Sequence, residues 1–114
     1  MSAYFDPRRI AQLENVMGAE AGAMLASMLD SLTQAIERLE AALGAGELEP
    51  AIQAAHAARN DALMLGAGPL QAALTDLEAA ARDADESRAR AALKRVRDVW
   101  PPTRDELAAG SRSV

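Results

Sequence analysis

Apolar residues recur along most of this chain at alternating spacings of four and three, the period of one helix face rather than of a strand. The most regular run is Leu25, Leu29, Leu32, Ile36, Leu39 and Leu43, which places one stripe on a long helix closed by Gly44 and Gly46. Ahead of it, Asp6 can cap a first helix, Pro7 suits the first helical position, Phe5 and Ile10 stand where a hydrophobic staple would, and Gly18 ends the element. A third helix is expected to begin between Leu48 and Pro50 and to run to Leu65, with Ala51, Ala55, Ala58, Ala62 and Leu65 as its core face, before Gly66-Ala67-Gly68. Pro69 opens a fourth with the stripe Leu70, Leu74, Leu77 and Ala81, and Asp85 can cap a fifth carrying Ala89, Leu93, Val96 and Trp100. Pro101-Pro102 is expected to stop that helix. The capping-box spacing of Thr103 and Glu106 then predicts a short terminal helix over about Arg104 to Ala109, followed by a frayed tail at about 110–114.

Alternation of period two is missing and the connections are short, so neighbouring helices are expected to be antiparallel. The fold class is all-α: an up-and-down four-helix bundle with an additional N-terminal helix and a short C-terminal one. No repeat and no long linker divides the chain, so residues 1–114 are read as one domain. Half of the residues are apolar but only 3% are aromatic, which calls for a core of closely packed Ala, Leu, Met, Ile and Val. Met24 and Met28 are expected to be core filler.

Charge and chemistry narrow the function. The chain carries 12 basic and 17 acidic residues, for a net charge of −5, and the basic ones are interspersed with acids. Neither nucleic acid nor an anionic membrane surface is an expected partner, because both are bound by clustered Lys and Arg. Cysteine is absent, which removes disulfides, thiolate metal sites and a cysteine nucleophile. The opening residues hold no basic region followed by an apolar run, and no uninterrupted apolar segment approaches about 18 residues, so a soluble cytoplasmic protein is expected. There is no Gly-rich phosphate loop and no His-Glu-x-x-His, so neither an ATP-binding kinase nor a metalloenzyme is expected. Glu47 with Glu49, and Asp83 with Asp85, read as turn and cap residues.

What remains is the chain's single histidine, His56, in the middle of the third helix. It follows the core position Ala55, and a step of one residue turns about 100° around a helix, so the ring is expected beside the buried stripe. On that outward face it is joined by Gln53, Arg59, Asn60 and Leu63. Arg59, three residues on, could offset negative charge on a group carried by the ring.

The run His56-Ala57-Ala58-Arg59-Asn60, with Leu65-Gly66 following, resembles the core motif of the histidine-phosphotransfer (HPt) domains, His-x-Leu-Lys-Gly with a glycine ten positions after the histidine. Ala55 before the histidine, and Gly66-Ala67, Leu70 and Leu77-Glu78 after it, are similar to the family's pattern, and the helix layout agrees over nearly the whole chain. Three positions depart from it. Ala58 stands for leucine and reduces core volume; Arg59 stands for lysine and exchanges a compact ammonium for a planar fork. Asn60 stands for a glycine, and its side chain either obstructs an approaching partner or hydrogen-bonds the transferred group.

The resemblance implies a phosphocarrier without kinase activity of its own, in which His56 passes a phosphoryl group between the aspartates of receiver domains. Arg59, Asn60, Gln53 and Leu63 would be the phosphoryl-stabilising or docking residues, and Gly66 the turn glycine. The receivers, on hybrid histidine kinases or response regulators, would bring the aspartate and Mg²⁺, so that the carrier needs no metal or cofactor. A monomer is expected. Two other readings stay open at this point: a non-phosphorylated adaptor that keeps the docking face, and a structural bundle that oligomerises through the Leu25–Leu43 stripe.

Overall fold

The computed structural model describes residues 3–112, without the side chains of residues 110–112. Five α-helices follow one another: α1 (Pro7–Met17), α2 (Ala21–Gly44), α3 (Leu48–Met64), α4 (Gly68–Arg82) and α5 (Glu86–Arg112), with a single 3-10 turn, Gly18–Glu20, between the first two. The last four form an up-and-down bundle in which α2 packs on α3, α3 on α4 and α4 on α5, with α5 returning to α2. Among the described residues there is no strand.

Side-chain caps explain where α1 and α5 start. Asp6 accepts a hydrogen bond from Arg8 N at 3.0 Å with Pro7 in the first turn, and Asp85 accepts from Arg88 N at 3.1 Å. The ends of α2, α3 and α4 share one device, in which a residue of positive φ turns the chain and two amides reach back to the last carbonyls. At the end of α3, Gly66 N donates to Leu63 O (3.1 Å) and Ala67 N to Ala62 O (2.9 Å). Gly46 and Gly66 adopt φ of 72° and 70°; at the end of α4 the same place is taken by Ala84, at φ 54°.

The stripes predicted from spacing form one core. Leu32, Leu39, Ala51, Ala55, Ala58, Ala62, Leu65, Leu70, Leu74, Leu77 and Val96 are all 0% exposed. Because the inward face of α3 is alanine almost throughout, its backbone lies close to its neighbours and the leucines come from α2 and α4. The stripe on α2 thus packs inside one chain, with Leu29 and Leu43 partly buried against the core. Phe5 and Ile10 pack against the core from α1, and Met28 does so from α2, whereas Met24 is 37% exposed and is not core filler.

The C-terminal region departs from expectation. Pro101 and Pro102 do not end α5, which continues to Arg112 without a separate terminal helix, and Thr103 is no cap. Two prolines remove two amide donors and so leave the carbonyls of Arg97 and Asp98 without their helical partners. Burial offsets this loss: Trp100, Thr103 and Leu107 are 6%, 0% and 1% exposed, and a helix broken at the prolines would take Leu107 out of the core. Thr103 Oγ1 donates to Val99 O at 2.7 Å, so its hydroxyl is satisfied within the helix. The predicted tail is helical as far as residue 112, and its remainder lies outside the described residues.

Several surface charges are paired within and between helices. From Arg88 to Arg97, α5 carries five basic residues and no acidic one, a denser run than the overall mixture suggests. Arg88 and Arg95 both bind Asp76 of α4, Arg97 Nε lies 3.1 Å from Glu40 of α2, and Arg90 lies 3.8 Å from Glu86. Asp83, at the α4–α5 turn, lies 3.6 Å from Arg88, in keeping with its reading as a turn residue.

Candidate functional site around His56

The alanine face of α3 fixes the register of the site. With Ala55 and Ala58 fully buried, His56 emerges at the border of the core with half of its side chain exposed. Across from it stands α4, where Leu77 is buried and the next residue, Glu78, is turned toward α3 with its side chain only 8% exposed. A carboxylate this deep requires partners, and it has three basic groups around it.

Arg82, one turn along α4, donates to Glu78 Oε2 from Nη2 at 2.9 Å and from Nε at 3.2 Å. Arg59 Nε lies 3.5 Å from Glu78 Oε1, and His56 Nδ1 lies 3.4 Å from Oε2. Arg59 also reaches the ring directly, with Nη2 3.0 Å from His56 Nδ1. Among the described residues, Glu78 Oε1 has no hydrogen-bond partner and His56 Nε2 has none within the protein. Burial acts to raise the pKa of the Glu78 carboxyl, but the Arg82 hydrogen bonds, the charge of Arg59 and the contact with His56 together hold it below its ordinary value. It is therefore ionised wherever the site would work, and with two guanidiniums beside it the ring has a net cationic setting.

The other residues singled out by spacing are placed as follows. Gln53, Asn60 and Leu63 share the exposed face of α3 with His56 but make no hydrogen bond to its ring, and Leu63 is 48% exposed. Arg59 is less free than expected: its side chain is 31% exposed and held between ring and carboxylate, because the register that brings it beside His56 also brings it over Glu78. Gly66 serves as the turn glycine and more. Its carbonyl accepts from Asp6 N at 2.9 Å, and a Cβ there would lie 3.0 Å from Arg9 Cβ and 3.3 Å from Asp6 Cβ, so the missing side chain also lets the start of α1 dock.

Glu78 and Arg82 were not assigned a role from sequence. The signal was present in part, since Glu78 and Arg82 have the i, i+4 spacing of a helix ion pair and Glu78 directly follows a core leucine. What spacing alone could not give is the alignment of α4 against α3.

Chemically, the site offers one imidazole nitrogen held against protein, one free of it, an ionised carboxylate to balance positive charge on the ring, and two guanidiniums for an anionic group. Among the described residues no three His, Asp or Glu side chains are grouped so as to hold a metal, and no helix is long and apolar enough to cross a membrane.

Comparison with known proteins gives the fold and the family. In fold, the chain is similar to the crystal structure of histidine-containing phosphotransfer protein B (HptB) from Pseudomonas aeruginosa PAO1, at 24% identity and a TM-score of 0.92, over 100% of this chain and 99% of that one. No curated protein gives a significant match. The family model of the Hpt domain matches residues 23–107, which span α2 to α5 and every residue of the site. The chain thus belongs to the Hpt domain family, whose members carry phosphoryl groups on histidine in two-component phosphorelays.

Proposed function

We propose that His56 is the phosphoacceptor and phosphodonor of this carrier, taking the group from the aspartyl phosphate of one receiver domain and passing it to the aspartate of another. The observation that carries the reading is the state of the chain's one histidine: half exposed on a rigid helix, with Nδ1 held by protein and Nε2 without a protein partner. Phosphoryl transfer asks mainly for positioning and charge stabilisation, and this site supplies both.

In the productive geometry Nε2 is the nucleophile. As its bond to phosphorus forms, the ring becomes cationic, and Glu78, already ionised beside Nδ1, balances that charge without reorganising. Arg59, held beside the ring, would offset the negative charge of the moving group, and Arg82 anchors Glu78. Gln53, Asn60 and Leu63 form the surface against which the receiver docks, with Asn60 bordering the approach. The receiver brings the acidic residue and Mg²⁺; this chain contributes no metal. In this reading the protein works as a cytoplasmic monomer.

The test is incubation with a phosphorylated receiver. Acid-labile, alkali-stable label is expected on the wild type and none on His56→Ala. Label that persists in the variant would place the acceptor elsewhere, and no label from any receiver of the source organism would leave a docking adaptor.

A further inference from the structure

His56 Nδ1 faces two partners that make opposite demands on it. The guanidinium of Arg59, whose Nη2 is 3.0 Å away, can only donate, so it needs the lone pair of Nδ1 and leaves the proton of a neutral ring on Nε2. The ionised Glu78, whose Oε2 is 3.4 Å away, can only accept, so it needs the proton on Nδ1 and leaves the lone pair on Nε2. One neutral ring satisfies only one of them. The shorter contact is with Arg59, which favours the Nε2–H form at rest, and in that form the free nitrogen has no lone pair in the ring plane with which to attack phosphorus.

We propose that Arg59 is a latch on the tautomer of His56, holding the ring unreactive until an anionic phosphoryl group draws the guanidinium off Nδ1. The inference rests on His56 being the phosphoacceptor and adds how that residue is kept silent between partners. The unfilled acceptor Glu78 Oε1 supports it. Arg59 Nε lies 3.5 Å from that atom, so a small movement away from Nδ1 completes a hydrogen bond to Oε1. The same movement leaves Nδ1 facing Oε2, which Arg82 keeps in place. The one unfilled acceptor of the resting site is thereby satisfied.

The atoms balance. Nε2 releases its proton to water and Nδ1 takes one up, which the half-exposed ring allows. The Nε2 lone pair then attacks phosphorus, the N–P bond forms, the P–O bond to the receiver's aspartate breaks, and the electron pair leaves with the carboxylate. Nδ1 keeps its proton throughout, so the product is a phosphorylated imidazolium paired with Glu78.

Nitrogen-15 NMR of the full chain reads which nitrogen of the neutral ring bears the proton. In the wild type the proton is expected mainly on Nε2. In Arg59→Ala the Nδ1–H form should rise several-fold to become the majority, and adding Glu78→Gln to that variant should abolish the preference. Backbone spectra of each variant establish that the bundle is intact. A wild-type ring already protonated mainly on Nδ1, or an Arg59→Ala ring with an unchanged ratio, would overturn the latch. None of these readouts uses a phosphodonor, so they stand apart from the label test of the acceptor itself.

Discussion

A carboxylate 8% exposed between two guanidiniums and an imidazole ties the charge state of the site to folding. The Glu78 carboxyl is held below its ordinary value of 4.5 and that of Asp76 below 3.8, the latter chiefly by Arg88. A group with a depressed folded value stabilises the fold above its unfolded value, and that contribution is lost as pH falls through the folded one. Stability measured by denaturant unfolding should therefore be flat from neutral pH down to the ordinary carboxylate range and fall below it. In Glu78→Gln the fall should be shallower. At neutral pH the same variant is expected to cost about 1–2 kcal/mol, less than a fully buried pair would, because Arg59 and Arg82 retain contact with solvent. His56→Ala, at an exposed position, should change stability by no more than about 0.5 kcal/mol while removing all label. Asn60→Gly is expected to loosen α3 by up to about 1 kcal/mol and to speed transfer by easing the receiver's approach; an unchanged rate would show that Asn60 is no gate.

At the scale of elements, the turn after α4 holds Ala84 at φ 54°, in a place where α2 and α3 end on glycine. Ala84→Gly removes that strain and should raise stability by up to about 1 kcal/mol in thermal or denaturant unfolding, with the fold unchanged. The prolines of α5 make a converse case. Local rules read Pro101-Pro102 as a stop, and they failed because Trp100, Thr103 and Leu107 are buried on one face of a helix that runs through them. Several other boundaries were legible because they had their own chemistry: Asp6 with Pro7, Asp85, and glycines of positive φ at the ends of α1, α2 and α3. The site was legible on the helix that carries it, where His56, Arg59 and the exposed face follow from the alanine spacing. Its cross-helix part, Glu78 with Arg82, depends on how α4 is aligned against α3, and no periodicity within either segment encodes that.

For the molecule as a whole, the leucines of α2 belong to the core of one chain. Leu32 and Leu39 are 0% exposed within one chain, so neither is available to a second copy. Leu32→Ala is expected to lower unfolding stability by about 2–5 kcal/mol, a large share of what a domain of this size has. Light scattering should show no change in mass. A variant that dissociates while each chain stays folded would contradict the internal role of the stripe.

The methyl-lined side of α3 carries a consequence for the ring on its other side. Ala51, Ala55, Ala58 and Ala62 are all 0% exposed, so the helix bearing His56 is seated on the core through methyl groups alone. Putting the leucine common in such motifs at Ala58 would lift α3 from that seat and open the gap between imidazole and carboxylate. Packing chemistry several ångströms beneath the surface would then be felt as a slower relay, with every polar group of the site still in the chain.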